Sequence, residues 1–88
     1  MIEVEKGVFV DLGPVCRIQI EDPVKDERDA WPRATCTVKM LGKDGNEVYS
    51  RVFRSEGDDP HQNTSVEFRA REQASNHVAT IRYRMAHS

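Results

Sequence analysis

The sequence predicts an all-β fold: a small antiparallel β-sandwich or partly open barrel of about six strands, arranged as three hairpins. Three observations carry this expectation. Apolar and polar residues alternate through most of the chain, so the dominant period is two residues rather than 3.6. Turn-forming segments separate the alternating runs, and Lys43-Asp44-Gly45-Asn46 is the clearest of them. Nothing repeats at the roughly 20–50-residue spacing of solenoids and propellers. With 88 residues the chain is one domain's worth, so residues 1–88 read as a single β domain.

The first hairpin is expected from Val8, Val10 and Leu12 facing Cys16, Ile18 and Ile20. A three-residue loop, Gly13-Pro14-Val15, pairs Leu12 with Cys16, Val10 with Ile18 and Val8 with Ile20, all apolar. A two-residue turn would set Val10 against Arg17 and mix the faces. One long strand bent at Gly13-Pro14 and crossing between two sheets keeps the same parity and stands as the alternative. In 21–33, Asp22 before Pro23 is a helix-start signal and Pro32 a stop, so at most one short helix is expected, within 22–31. Trp31 is expected to return its indole to the core.

The second hairpin joins Ala34–Met40 to 48–53. A two-residue turn at Asp44-Gly45 would pair Val38 with Arg51 and put Tyr49 and Phe53 on the Cys36/Val38/Met40 face. A three-residue loop with Gly45 left-handed pairs Met40 with Val48 and Cys36 with Val52, and keeps Arg51 out of the core. The second register is preferred. It leaves Lys39, Tyr49, Arg51 and Phe53 on the outer face.

The third hairpin is expected from Val66, Phe68 and Ala70 against Ala79, Ile81 and Tyr83, with a four-residue loop at 73–76. Its opposite parity carries Arg69, Arg71, Arg82 and Arg84, with Glu67 facing Arg82 as a cross-strand ion pair. The core is then expected to unite Phe68, Ile81, Val10, Ile18 and Val38. Residues 54–64 read as a polar loop.

Charge narrows function more than the net of −2 suggests. Acids gather in the connections, notably loop 21–29, while arginines gather in the alternating runs and outnumber lysines nine to four. No apolar run is long enough to span a bilayer, and the acidic start at Met1–Lys6 is unlike a signal peptide, so a cytoplasmic protein is expected. Cys16 and Cys36 permit one disulfide, although two buried thiols suit that compartment better. Their close spacing excludes the bridge of an immunoglobulin domain.

The sequence holds no nucleophile elbow, no phosphate-binding glycine loop and no zinc-protease helix, so no enzyme and no cofactor is expected. Asp58, Asp59 and His61, with His77 from another loop, form the first of two metal-ligand readings. A solvated acidic loop explains them better. Lys43-Asp44-Gly45-Asn46-Glu47 lacks the carboxylates and flanking helices of a calcium loop. What remains is surface. The expected binding residues are Arg69, Arg71, Arg82 and Arg84 on one hairpin, and Lys39, Tyr49, Arg51 and Phe53 on another. These suit a protein partner, for an adaptor or inhibitor, with loop 21–29 as a second surface that mimics phosphate. Single-stranded nucleic acid is the first alternative, because bases stack on rings beside cations; a pI near 5.9 argues against it. A structural component of a larger assembly, such as a virion, is the second. Open strand edges, especially 48–53, lead to the expectation of a homodimer.

Overall fold

A computed structural model describes residues 1–11, 13, 15–26, 32–57 and 65–87, with only the backbone of Cys16. Among these residues the structure is mostly β, with six strands in two sheets and one helix. The strands are β1 (Ile2–Glu5), β2 (Val8–Val10), β3 (Val15–Ile20), β4 (Val24–Asp26), β5 (Arg33–Gly42) and β6 (Glu47–Glu56); α1 spans Val66–Ala86. The sheets do not close into a barrel. The four-stranded sheet is covered by α1 and by the β1–β2 hairpin.

The first expected hairpin does not form. β2 pairs with β1, through Ile2↔Val10 and Glu3↔Phe9, and β3 pairs with β5. Gly7, at φ 80°, makes the turn after Glu5 and Lys6 possible, since that region costs an L side chain energy. The reward is burial of Ile2, Val4 and Val10 together. Leu12 and Pro14 lie outside the described residues.

β5 is the central strand. β6 runs along one edge, while β3 and β4 follow one another along the other. Between them Ile20 opposes Val38 and Val24 opposes Thr35, so residues 21–23 face only Cys36 and Thr37. Pro23 sits at this irregularity, on an edge, where its missing N–H costs no ladder bond. The chain therefore continues as a strand at 24–26 instead of starting the short helix expected in 22–31. Residues 27–31, with Trp31, lie outside the described residues.

The β5–β6 turn is the expected three-residue loop. Gly42 N–H donates to Asn46 O at 2.8 Å, Gly45 N–H to Gly42 O at 3.0 Å, and Gly45 adopts φ 80°. The register beyond it is not the expected one. Leu41 opposes Glu47 but Met40 opposes Tyr49, so Val48 is the extra residue of a β-bulge. From there Val38 faces Arg51 and Cys36 faces Phe53, which turns Tyr49 and Phe53 inward. The gain is Tyr49, an aromatic ring only 8% exposed. Arg51 costs little on this face because it lies at the exposed rim and reaches Glu5 at 2.8 Å.

The third hairpin is instead α1. Val66, Ala70, Ala74, Val78 and Ile81 recur every three or four residues and are buried. Phe68 and Tyr83, which supplied the apparent alternation, are 56% and 64% exposed. Residues 65–86 contain neither Gly nor Pro, and Ala, Arg, Glu and Gln favour helix. Ser65 caps the start, its Oγ accepting from Phe68 N–H at 3.1 Å. Glu67 in the first turn and Arg84 in the last suit the helix dipole. Of the expected core, Val10, Val38 and Ile81 are buried, Ile18 is half-buried, and Phe68 is corrected to a surface residue.

Candidate interaction surface

The arginines expected to share one face are split by the helix. At about 100° per residue, Arg71 and Arg82 fall on one flank of α1, and Arg69 and Arg84 on the other. Arg69 is tied to the end of β6, donating through Nη1 to Glu56 O at 3.4 Å and through Nη2 to Gly57 O. Arg84 Nη1 donates to Glu3 O at 2.5 Å, clamping β1 to α1. Glu67 and Arg82 stand at opposite ends of the helix, so their expected ion pair is absent.

The second expected face is split by the bulge. Lys39 stays on the outer face, where its Nζ lies 2.9 Å from Glu21 Oε1 and 3.8 Å from Glu47 Oε1. Those carboxylates raise its pKa, the hydrogen bond that the ammonium donates to Glu21 foremost. Tyr49, Arg51 and Phe53 face α1. The Tyr49 hydroxyl lies 3.0 Å from His77 Nε2, the Phe53 ring lies 5.2 Å from the His77 ring, and the Arg51 guanidinium sits 4.8 Å above Phe53. Burial and then the Arg51 charge push the His77 pKa down, against the pull of Glu5. Burial and Glu5 push that of Tyr49 up. These groups satisfy one another across the β6–α1 seam, as a structural network does.

The two edges of the large sheet differ. On β6, the carbonyls of Arg54 and Glu56 accept from Gln73 Nε2 at 3.0 Å and from Arg69 Nη1, so helix side chains cap part of the edge. On β3 no such cap exists among the described residues. A groove of about 560 Å3 runs there between strand and helix, lined by Ile18, Ile20, Ser75, Val78, Ala79 and Arg82. Arg71 lies one helical turn before Ser75 on the same flank, near enough to Cys36 for its charge to act on that thiol. Neither Arg71 nor Arg82 forms an ion pair among the described residues. The groove thus combines an apolar floor, a strand edge open among the described residues and one cation, Arg82, with Arg71 farther along the same helical flank.

Of the expected binding residues, this surface keeps Arg71 and Arg82 and adds Ile18, Ile20, Val78 and Ala79. The helical spacing of Ala70, Ala74 and Val78 was the sequence signal that would have brought them together. Cys36 is a free thiol, buried, donating to Glu21 O at 3.3 Å. Burial raises its pKa, which disfavours the nucleophilic thiolate. Asp58, Asp59 and His61 lie outside the described residues, among which no cluster of metal-ligating side chains occurs. Among the described residues no helix is long and apolar enough to cross a membrane. Comparison of the chain with family models, curated proteins and solved structures returns no match.

Proposed function

We propose that this chain is a non-enzymatic interaction module, an adaptor or inhibitor, that binds a protein partner along the side where α1 meets β3. The observation that carries the reading is the groove itself, apolar at Ile18, Ile20, Val78 and Ala79, with Arg82 on its helical wall and Arg71 farther along the same flank, neither in an ion pair among the described residues. Arginine beside apolar surface is the composition of binding hot spots, because guanidinium adds directional bonds to area removed from water. Against catalysis, His77 is engaged by Tyr49, and Cys36 is a buried thiol whose pKa is raised. A free buried thiol also agrees with the cytoplasmic setting expected from the sequence. The nucleic-acid alternative loses support, since Tyr49 and Phe53 face the helix and are not arrayed on an open sheet face. Edge pairing of two copies through β6 loses support from the Gln73 and Arg69 caps.

The test is paired capture from cell extract. The immobilised parent chain, an Arg71→Glu/Arg82→Glu variant and a Lys43→Glu/Arg54→Glu control outside β3 are compared by quantitative mass spectrometry. The reading expects a protein retained by parent and control and lost by the groove variant. Equal recovery by all three overturns it.

A further inference from the structure

We infer that the free edge of β3 accepts an extended segment of the partner as an added strand, apolar in its middle and acidic at both ends. This rests on the interaction reading above and specifies its ligand.

The backbone geometry selects the residues. Glu21 N–H donates to Thr37 O at 2.9 Å, so odd-numbered positions of this strand direct their N–H and C=O groups toward β5. Ile18 and Ile20 have the opposite parity, and their N–H and C=O groups point away from the sheet. β3 is an edge strand, and no other described strand takes those groups up. The same two residues project their side chains onto the covered face and line the groove. Backbone bonds and pocket therefore coincide. In an antiparallel guest, the residues opposite Ile18 and Ile20 exchange hydrogen bonds with them and send their side chains toward Val78 and Ala79.

Charge sets the ends of the guest. Arg82 lines the groove, and Arg71, eleven residues earlier, lies toward Cys36 and the Glu21 end of β3. At about 1.5 Å per residue the two are about 16 Å apart along the helix. Guest residues six apart on an extended chain span about 20 Å, within reach of two long side chains. The matching pattern is acid, two apolar residues and acid at alternate positions. Glu21 does not compete for Arg71, being held by Lys39 at 2.9 Å on the other face. A helical ligand would leave the Ile18 and Ile20 backbone groups unused, which is why the extended form is preferred.

The experiment titrates the 15N-labelled chain with the synthetic peptide acetyl-Glu-Thr-Val-Thr-Val-Thr-Glu-amide to millimolar concentration. The Ile18 and Ile20 amide resonances should shift downfield and saturate. N-methylation of the two valines, whose N–H groups face β3, should abolish the shifts, while N-methylation of the flanking threonines should preserve them. Replacing both glutamates by lysine, or both groove arginines by Glu, should weaken binding about tenfold or more, two exposed ion pairs' worth. Unmoved Ile18 and Ile20 amides overturn strand addition. So does equal binding of the two methylated peptides; in that outcome an acidic ligand is still recognised and the interaction reading survives. Loss of that reading itself is seen separately, in the capture experiment.

Discussion

The Tyr49 hydroxyl meets His77 Nε2 at 3.0 Å, joining β6 to α1 across the covered face of the sheet. With the neutral imidazole protonated on Nδ1 the phenol donates to Nε2, and in the other neutral tautomer Nε2–H donates to the phenol oxygen. The charged groups around the imidazole are Glu5 from β1, Arg51 from β6 and Arg84 from α1 itself, and the two arginines outweigh the single carboxylate. A proton on His77 would add a third cation to a desolvated seam.

Stability should therefore depend on pH through His77. Its folded-state pKa lies below the 6.5 of a free imidazole, with burial as the main cause. As pH falls, the unfolded chain takes up the proton first. The contribution is complete above about pH 6.5, declines as pH drops below it toward the folded-state pKa, and levels off beneath that value. Urea melts between pH 7.5 and 5 should show this decline in the parent and a flatter profile in His77→Gln. An unchanged profile in the variant would assign the effect elsewhere.

Helix burial makes a sharp contrast between two apolar residues. Ile81→Ala should cost about 2–5 kcal/mol, because Ile81 is fully buried under the sheet. Phe68→Ala should stay within about 0.5 kcal/mol of the parent, since its ring faces solvent. Ser65→Ala should cost about 1 kcal/mol through the lost cap. Chemical denaturation of the three variants checks the order. A large loss at Phe68 would restore the strand pairing that its alternation suggested.

The bulge at Val48 predicts an asymmetry between two single-residue deletions. Removing Val48 leaves Glu47 opposite Leu41 and Tyr49 opposite Met40 as neighbours in a regular ladder, so every later side chain keeps its face. Removing Ser50 moves Tyr49 opposite Lys39 and turns its ring to solvent. That change should cost several kcal/mol, on the order of deleting a buried aromatic. Melting temperatures, with a Tyr49–His77 contact by NMR, distinguish the two; equal losses would contradict the bulge.

Cys36 should resist alkylation in the native protein. Its thiol is buried, bonded to Glu21 O and raised in pKa, and the thiolate is the reactive form. Iodoacetamide labelling followed by peptide mapping should modify position 36 only when urea is added. Modification at the native rate of a free cysteine would show that the face under α1 opens readily.

Period-two patterning located β5 and β6 and the loop between them, because Ala34, Cys36, Val38 and Met40 are buried on one side only and Gly45 must be left-handed. The same rule misread 66–84. Phe68 and Tyr83 happen to stand two residues from buried positions, and a short window cannot separate that coincidence from a strand. The missing glycine or proline at 73–76 was the discriminating feature, since a tight hairpin there would have to bend through Ala74, Ser75 and Asn76. Tyr49 and Phe53 were misassigned for a different reason. A bulge inserts one residue without a compositional mark, and it exchanges the two faces of everything beyond it. The candidate groove was illegible for the first reason, as half of it belongs to the helix.

The covered face of the sheet depends on an element made late. Synthesis proceeds from the N-terminus at about 5–20 residues per second, so Cys36 and Val38 are polymerised a few seconds before Val78 and Ile81 exist. Throughout that interval only the β1–β2 hairpin is available to lie over part of its apolar side. Arg84, which grips the Glu3 carbonyl, is added later still. The first strand and the end of the helix thus close on each other only after α1 has been made.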